Sequence, residues 1–429
     1  MKIRIKQLPY EKVLSLPRPV HHPPRRPWWI LRKVIRLVSL PDLWKTHFTF
    51  EKHRMDEIGH GPWLVLMNHS SFIDLEIAHK LLARRPFCIV ATSDGFIGKE
   101  WLMRSIGCIP TRKFVTSPEL IDDMRHALGK LKCSVLLFPE ASYSFDGRAT
   151  PLPRRLGILL KRLNVPVVSI TTSGAFTLNP LYNNLQKRKV RVSATMRGLL
   201  TKDEILSKSV QELDDILDEA FSFDHFAWQK ENSIHIDEPF RADGLHRILY
   251  KCAACGTEGK TEGKGTTLTC HACGKRYQLT TLGELQAENG KTEFTHIPHW
   301  YEWQRREVRR ELEENRYELD IPVDIAMMAD YKAIYKVGSG RLQHGKNGFV
   351  LDGCDGKLHY TQPPLASYGL YSDYYWYELG DIICIGNQEY LYYCFPKDGT
   401  AVAKTRLAAE ELYKMSLAAR RKAAAGTVT

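Results

Sequence analysis

Between residues 63 and 219 short apolar runs alternate with segments of helical period, and this alternation limits the fold more than any other feature. Strands are expected at 63–67, 87–91, 107–111, 134–138, 165–171 and 189–196. Helices are expected at 71–83, 96–105, 117–131, 154–163 and 203–219. Such alternation predicts an α/β domain over 60–222, a mostly parallel sheet flanked by helices.

The first run, Leu64 to Met67, reads as the end of a buried strand and is broken by Asn68. His69 follows at the strand-to-helix corner, where open α/β sheets hold their ligands. Ser70 or Ser71 can cap the next helix, which carries Phe72, Ile73, Leu75, Ile77 and Ala78. Asp74 lies a little over one turn beyond the corner, so its carboxylate can reach back to an imidazole nitrogen. The carboxylate would fix the tautomer, and the free nitrogen would accept a proton from a hydroxyl or thiol. Taken alone, a His and an Asp five apart is an ordinary helical spacing.

Three further blocks follow. Gly107-Cys-Ile-Pro-Thr-Arg112 is a glycine, an apolar strand and an arginine; Phe138-Pro-Glu-Ala-Ser-Tyr-Ser144 begins at another strand end; Val165-Pro-Val-Val168 is an apolar run around proline. With Asn68-His69-x4-Asp74, the four in order resemble the conserved blocks of the glycerolipid acyltransferases, the family of lysophosphatidic acid acyltransferase, over roughly residues 40–220. The resemblance implies acyl transfer from an acyl thioester, acyl-CoA or acyl-carrier protein, to a lysophospholipid hydroxyl. It implies His69 as general base, Asp74 as its orienter and Arg112 as a ligand of the acceptor phosphate, with Lys99 a weaker candidate for that anion. Glu140 would serve acceptor binding and site architecture, and Val165–Val168 at most the wall of an acyl-chain tunnel. Two positions depart from the family pattern: Ala141 stands where glycine is usual and Tyr143 where arginine is usual. Arg148, Arg154 and Arg155 lie just downstream and could restore the charge or be solvated.

Cys252-Ala-Ala-Cys255 and Cys270-His-Ala-Cys273 are each followed by glycine. The spacing is that of a four-cysteine zinc ribbon over 245–282, closed and therefore structural. His271 could compete as a ligand, but four cysteines already fill the shell. The flanks lack the basic–aromatic interleaving of a nucleic-acid binder, so no nucleic-acid partner is expected. The other six cysteines lie scattered in apolar contexts, which suits a reducing compartment.

The formal charge is +12, and residues 1–36 hold ten Lys or Arg against the single acid Glu11. Prolines at 9, 17, 19, 23, 24 and 27 predict an extended arm. A basic amphipathic helix follows from Trp28-Trp29 to Leu40, with Arg32, Lys33 and Arg36 opposite the apolar residues. Within this segment, 1–59, it is expected to contact an anionic membrane surface. No apolar stretch reaches eighteen residues and no secretory leader is apparent, so a peripheral position on the cytoplasmic face is expected.

Residues 283–320 read as a charged helical spacer, and 321–418 as a β-rich, pleckstrin-homology-like module closed by a helix at 400–418. Its strands are expected at 321–328, 331–337, 340–345, 347–351, 357–362, 374–379, 381–386 and 389–396. The aromatic cluster at 371–377 reads as core and sheet face. Residues 419–429 read as a frayed tail. The protein partner of this module is not legible. Besides the enzyme, a lipid-binding scaffold whose ribbon and C-terminal module hold a protein partner fits the sequence.

Overall fold

The computed structural model describes residues 3–115, 117–153 and 155–426. The N-terminal arm is not uniformly extended. Ile5–Gln7 (β1) is a strand and Tyr10–Leu14 a short helix (α1), begun directly after Pro9, which needs no N–H there. Trp29–Lys45 (α2) then turns Leu31, Arg32, Ile35, Ser39 and Leu43 toward the body. Arg32, expected opposite the apolar face, instead donates to the carbonyls of Ala83 and Arg85.

The α/β unit is built from Thr49–His53 (β2), Leu64–Met67 (β3), Ile73–Leu81 (α3), Phe87–Thr92 (β4), Glu100–Ser105 (α4), Cys108–Thr111 (β5), Pro118–Gly129 (α5), Ser134–Leu137 (β6), Leu156–Leu163 (α6), Val167–Ser173 (β7), Ala175–Leu178 (α7) and Ser193–Leu200 (β8). Its seven-stranded sheet runs β2-β8-β7-β3-β6-β4-β5. The strands from β7 to β5 are parallel and β8 returns antiparallel. β3 is wholly buried, as a strand covered on both faces must be. β2 escaped the sequence reading because every one of its residues is exposed and no alternation marks it. The helix expected at 203–219 is two helices, Lys202–Ser207 (α8) and Val210–Ala220 (α9). Each starts on a reciprocal capping box, Thr201 with Glu204 and Ser209 with Glu212. His225–Glu231 (α10) follows.

The cysteine segment forms a four-stranded antiparallel sheet of Thr261–Lys264 (β9), Thr267–Cys270 (β10), Arg276–Leu279 (β11) and Leu285–Ala287 (β12). Ile297–Glu313 (α11), expected as a spacer, is instead a packing element. It buries Trp300, Gln304 and Val308, and Trp300 joins Leu268, Tyr277 and Leu285 of the ribbon in one core.

The C-terminal strands are Leu319–Met328 (β13), Ile334–Gly345 (β14), Gly348–Gly353 (β15), Leu358–Gln362 (β16), Tyr371–Trp376 (β17), Gly380–Gly386 (β18) and Leu391–Pro396 (β19). The two strands expected at 331–337 and 340–345 are the single long β14, in which Gly338 and Gly340 sit within the strand. The order is β16-β15-β14-β13-β19-β18-β17, with β1 added alongside β14. Among the described residues β16 and β17 do not pair, so the sheet is open there. The closing helix, Ala401–Gly426 (α12), runs past the expected end at 418 through residues expected to fray. Of the aromatic cluster, Tyr371, Tyr374 and Trp376 are buried as expected.

Candidate active site and metal centre

A parallel sheet puts the carboxyl ends of its strands along one edge, and the block residues lie there. Beyond β3 come Asn68 and His69, beyond β6 Phe138 to Glu140, and beyond β5 Arg112 and Lys113. Asn68 fastens β3 to β7: its Oδ1 accepts from Thr172 N–H at 2.8 Å and its Nδ2 donates to Thr172 O at 3.2 Å.

The His69 Nδ1 lies 3.3 Å from Asp74 Oδ2. That oxygen also accepts from the Ser70 and Ser71 N–H groups, at 2.7 and 2.9 Å. Asp74 is fully buried, and these two donors from the corner before α3 hold its carboxylate in place. The serine caps expected from the sequence do not act there: Ser71 Oγ bonds Asn179 and Ser70 Oγ bonds His225 Nε2. With Nδ1–H directed at a carboxylate, Nε2 carries the lone pair. Burial lowers the His69 pKa, Asp74 opposes this, and Lys113 adds to the lowering. The imidazole is therefore neutral at pH 7, as a base must be.

Glu140 supports the same corner. Its Oε1 accepts from His69 N–H at 3.1 Å, and its Oε2 from Thr150 N–H at 2.8 Å and Thr150 Oγ at 3.0 Å. Burial pushes its pKa to about 7, against the pull of these donors and of Arg406. Ala141, where the family has glycine, sits at φ 55°, a left-handed conformation that disfavours a Cβ. Tyr143 stacks on the His69 ring with centroids 3.9 Å apart, and Phe138 stacks at 4.1 Å. The residue in place of the family arginine thus forms part of an aromatic sleeve around the imidazole.

The expected anion ligands are placed unevenly. Arg112 Nη1 donates to Asn387 O at 3.1 Å and to Gln388 O, so the guanidinium fastens the β18–β19 hairpin to the end of β5. Lys99 lies 6.0 Å from the Tyr377 ring centroid. Arg148 pairs with Asp146 and Glu302, and Arg155 is exposed at the start of α6. Arg154 lies outside the described residues. Val167 and Val168 are fully buried in the central sheet, where they pack as core.

Sequence reading missed Thr172, Thr150, Lys113 and Arg406. Arg406, on α12, is nearly fully buried; its Nη2 donates to Ser142 Oγ at 2.8 Å and its Nη1 to Tyr143 O at 3.1 Å. The C-terminal helix therefore pins the loop that carries Glu140. No local motif signals this, because the partners lie more than two hundred residues apart.

At the ribbon, the Cys252–Cys273 and Cys255–Cys270 sulfurs are 3.9 and 3.8 Å apart, and all four lie within 4.8 Å of one another. Zinc–sulfur bonds of about 2.3 Å in a tetrahedron require sulfurs about 3.8 Å apart. Gly256 and Gly274, both at φ 74°, donate their N–H to Cys252 O and Cys270 O, closing two matching knuckles. The four thiols can hold one tetrahedral metal ion. His271 turns to Glu262 instead.

Residues 49–173 match the Acyltransferase family model. The chain is 26% identical over 127 residues to the 1-acyl-sn-glycerol-3-phosphate acyltransferase BAT2, chloroplastic, of Brassica napus, over 28% of this chain and 35% of that protein. It thus spans about a third of that relative's length. The 1-acyl-sn-glycerophosphate (LPA) acyltransferase PlsC of Thermotoga maritima matches at 16% identity and a TM-score of 0.37, over 44% of this chain and 76% of that one.

Proposed function

With residues 49–173 an acyltransferase-family domain, we propose that the protein moves a fatty acyl group from an acyl thioester to a lysophospholipid hydroxyl. The favoured acceptor is 1-acyl-glycerol-3-phosphate, giving phosphatidic acid, and the donor is acyl-CoA or acyl-carrier protein. The observation that carries this reading is the His69–Asp74 pair at the carboxyl edge of the parallel sheet, 3.3 Å apart, with the imidazole pKa lowered by burial.

In this reaction His69 Nε2 takes the acceptor's hydroxyl proton as the oxygen attacks the thioester carbonyl. The tetrahedral intermediate collapses, the C–S bond breaks, and the leaving thiolate takes the proton from the imidazolium. Asp74 stabilises that imidazolium and keeps its tautomer. The acceptor oxygen is itself the nucleophile, so no acyl-enzyme forms. Glu140 holds the His69 backbone, and Arg112, just past β5, and Lys99, just before α4, add positive charge for the acceptor phosphate. Zinc on Cys252, Cys255, Cys270 and Cys273 is structural, since four protein ligands leave no open position.

The test is transfer by the purified protein from a labelled long-chain thioester to a panel of lysolipids. Phosphatidic acid as product supports the assignment, and transfer only to another lysolipid moves the headgroup. No turnover with either thioester class favours the lipid-binding scaffold.

A membrane position is supported by α2. Ile30, Val34, Leu37, Val38 and Trp44 face solvent, with Leu37, Val38 and Trp44 at 65, 72 and 78% exposure. The sequence reading gave the apolar side of this helix to the membrane, and its outer face carries these residues. Apolar stripes of this size mark binding surfaces, and Lys33, Arg36 and Lys45 flank it. No described helix is long and apolar enough to cross a membrane. Leu37→Glu with Trp44→Glu, both at exposed positions, is expected to abolish co-sedimentation with anionic liposomes while leaving the melting temperature unchanged. Undiminished sedimentation would remove α2 from the membrane contact.

A further inference from the structure

A cavity of about 330 Å³ lies between the carboxyl end of β5 and the C-terminal sheet. Lys113 and Phe114, in the loop after β5, line one side, and Leu370, Tyr371, Ile385 and Leu391 line the other. The hairpin fastened by Arg112 contributes Asn387 and Gln388 to the rim. Such a volume suits a small headgroup and its glycerol rather than a whole lipid; ligand sites generally span about 300–1,000 Å³.

The charge in this cavity is the telling feature. The Lys113 ammonium lies 4.2 Å from the Tyr371 ring centroid and 5.8 Å from that of Tyr143. Among the described residues it makes no hydrogen bond and no ion pair. Asp373 and Asp94 act on it only through space. An ammonium has three donors, and those of Lys113, a residue only part-buried, meet ring faces rather than protein acceptors. An oxyanion in the cavity would supply the missing acceptors. Tyr143 is also the ring stacked on His69, so the ammonium and the candidate base lie on one aromatic sleeve.

We propose that this interdomain cavity seats the phosphate monoester headgroup of a lysophospholipid, with Lys113 as its cationic ligand and the C-terminal sheet as its second wall. This rests on the acyltransferase reading for the role of acceptor site, but not for binding itself. It assigns the C-terminal module a direct part in holding substrate. The charge that Tyr143 fails to supply is then provided by the residue that follows the second block.

The experiment is calorimetric titration of the full-length protein with oleoyl-lysophosphatidic acid below its critical micelle concentration, beside oleate and inorganic phosphate. Two variants accompany it: Lys113→Met, which removes the charge, and Ala366→Trp, which fills the cavity from an exposed position on its rim. Each is expected to weaken lysophosphatidic acid binding about 10- to 100-fold, the size of a lost charge-assisted hydrogen bond. Unchanged affinity in Ala366→Trp overturns the proposal even if Lys113→Met fails to fold. Oleate binding as tightly as lysophosphatidic acid overturns the phosphate assignment, and inorganic phosphate binding as tightly overturns the lipid one. Binding by the wild type that both variants lose, without any acyl transfer, sustains the headgroup site and overturns the acyltransferase reading instead.

Discussion

His69→Ala is expected to lower kcat for acyl transfer by about 10³–10⁴-fold, the upper part of the range for a positioned general base. The magnitude follows from the geometry. The imidazole is held by Asp74 at Nδ1, by Glu140 at its own backbone N–H, and between two aromatic rings. Little reorganisation is left for the moment of proton transfer. Asp74→Asn should cost activity similarly, because an amide in place of the carboxylate no longer stabilises the imidazolium. It should also cost stability, since Asp74 accepts two backbone N–H groups in a site without solvent. Rates within a few-fold of wild type in His69→Ala would remove it as the base. The pH dependence gives a second check. Burial lowers the His69 pKa below its usual 6.5, so the base form persists through neutral pH and kcat/KM should fall only on the acid side. The same sign governs stability. His79 and His225 are lowered to about 4 and His344 to about 3, each by burial. The unfolded chain binds these protons near pH 6.5 and the folded one does not. Stability is therefore full above pH 6.5 and is lost as pH falls toward 4.

The α/β unit was legible because its signals are local. Leu64–Met67 is apolar, ends at Asn68, and is followed by a helix of clear period; β4, β6 and β7 are likewise short apolar runs. The pair His69–Asp74 was legible for the same reason, since one helical turn brings the carboxylate back to the ring. The cysteine knuckles are more local still. What escaped reading depends on distant partners or on weak patterning. β2 is exposed throughout, so burial leaves no imprint on it. β14 contains glycines that read as turns, yet close cross-strand approach explains one of them: a Cβ on Gly340 would lie 2.2 Å from Asp352 O. The roles of Arg406 and Lys113 were invisible because the loops and rings they touch come from other parts of the chain. Arg112 shows the converse: its block was recognised, but its hydrogen-bond partners belong to a module that the resemblance does not cover.

Removing the metal from the ribbon is expected to lower the melting temperature by more than 10 °C and to abolish acyl transfer, with zinc restoring both. The ribbon is not a peripheral appendage. Leu268, Tyr277, Leu279 and Leu285 share a core with Trp300 of α11 and with Val402 and Leu407 of α12. Lys251, adjacent to the first ligand, pairs with Glu311 of α11 at 3.1 Å, and Lys404 of α12 pairs with the same carboxylate at 2.9 Å. Two residues further along α12, Arg406 donates to Ser142 and Tyr143 in the loop around His69. A continuous set of buried and part-buried contacts therefore joins the cysteines to the candidate base. Structural zinc contributes about 10–16 kcal/mol of apparent binding free energy in small fingers, comparable to the whole stability of a typical domain, about 5–15 kcal/mol. Spread over a chain of this length, at about 2.1 cal/mol/K per residue, that whole contribution shifts a melting point by about 11–18 °C. Cys270→Ser tests the point without chelators: its sulfur is buried, so the substitution removes a ligand from the inner side of the cluster. Its melting temperature should match that of the metal-stripped wild type and should not rise when zinc is added back. A purified wild-type protein holding far less than one zinc per chain, yet melting normally and turning over substrate, would show that the cysteines stabilise the ribbon without metal.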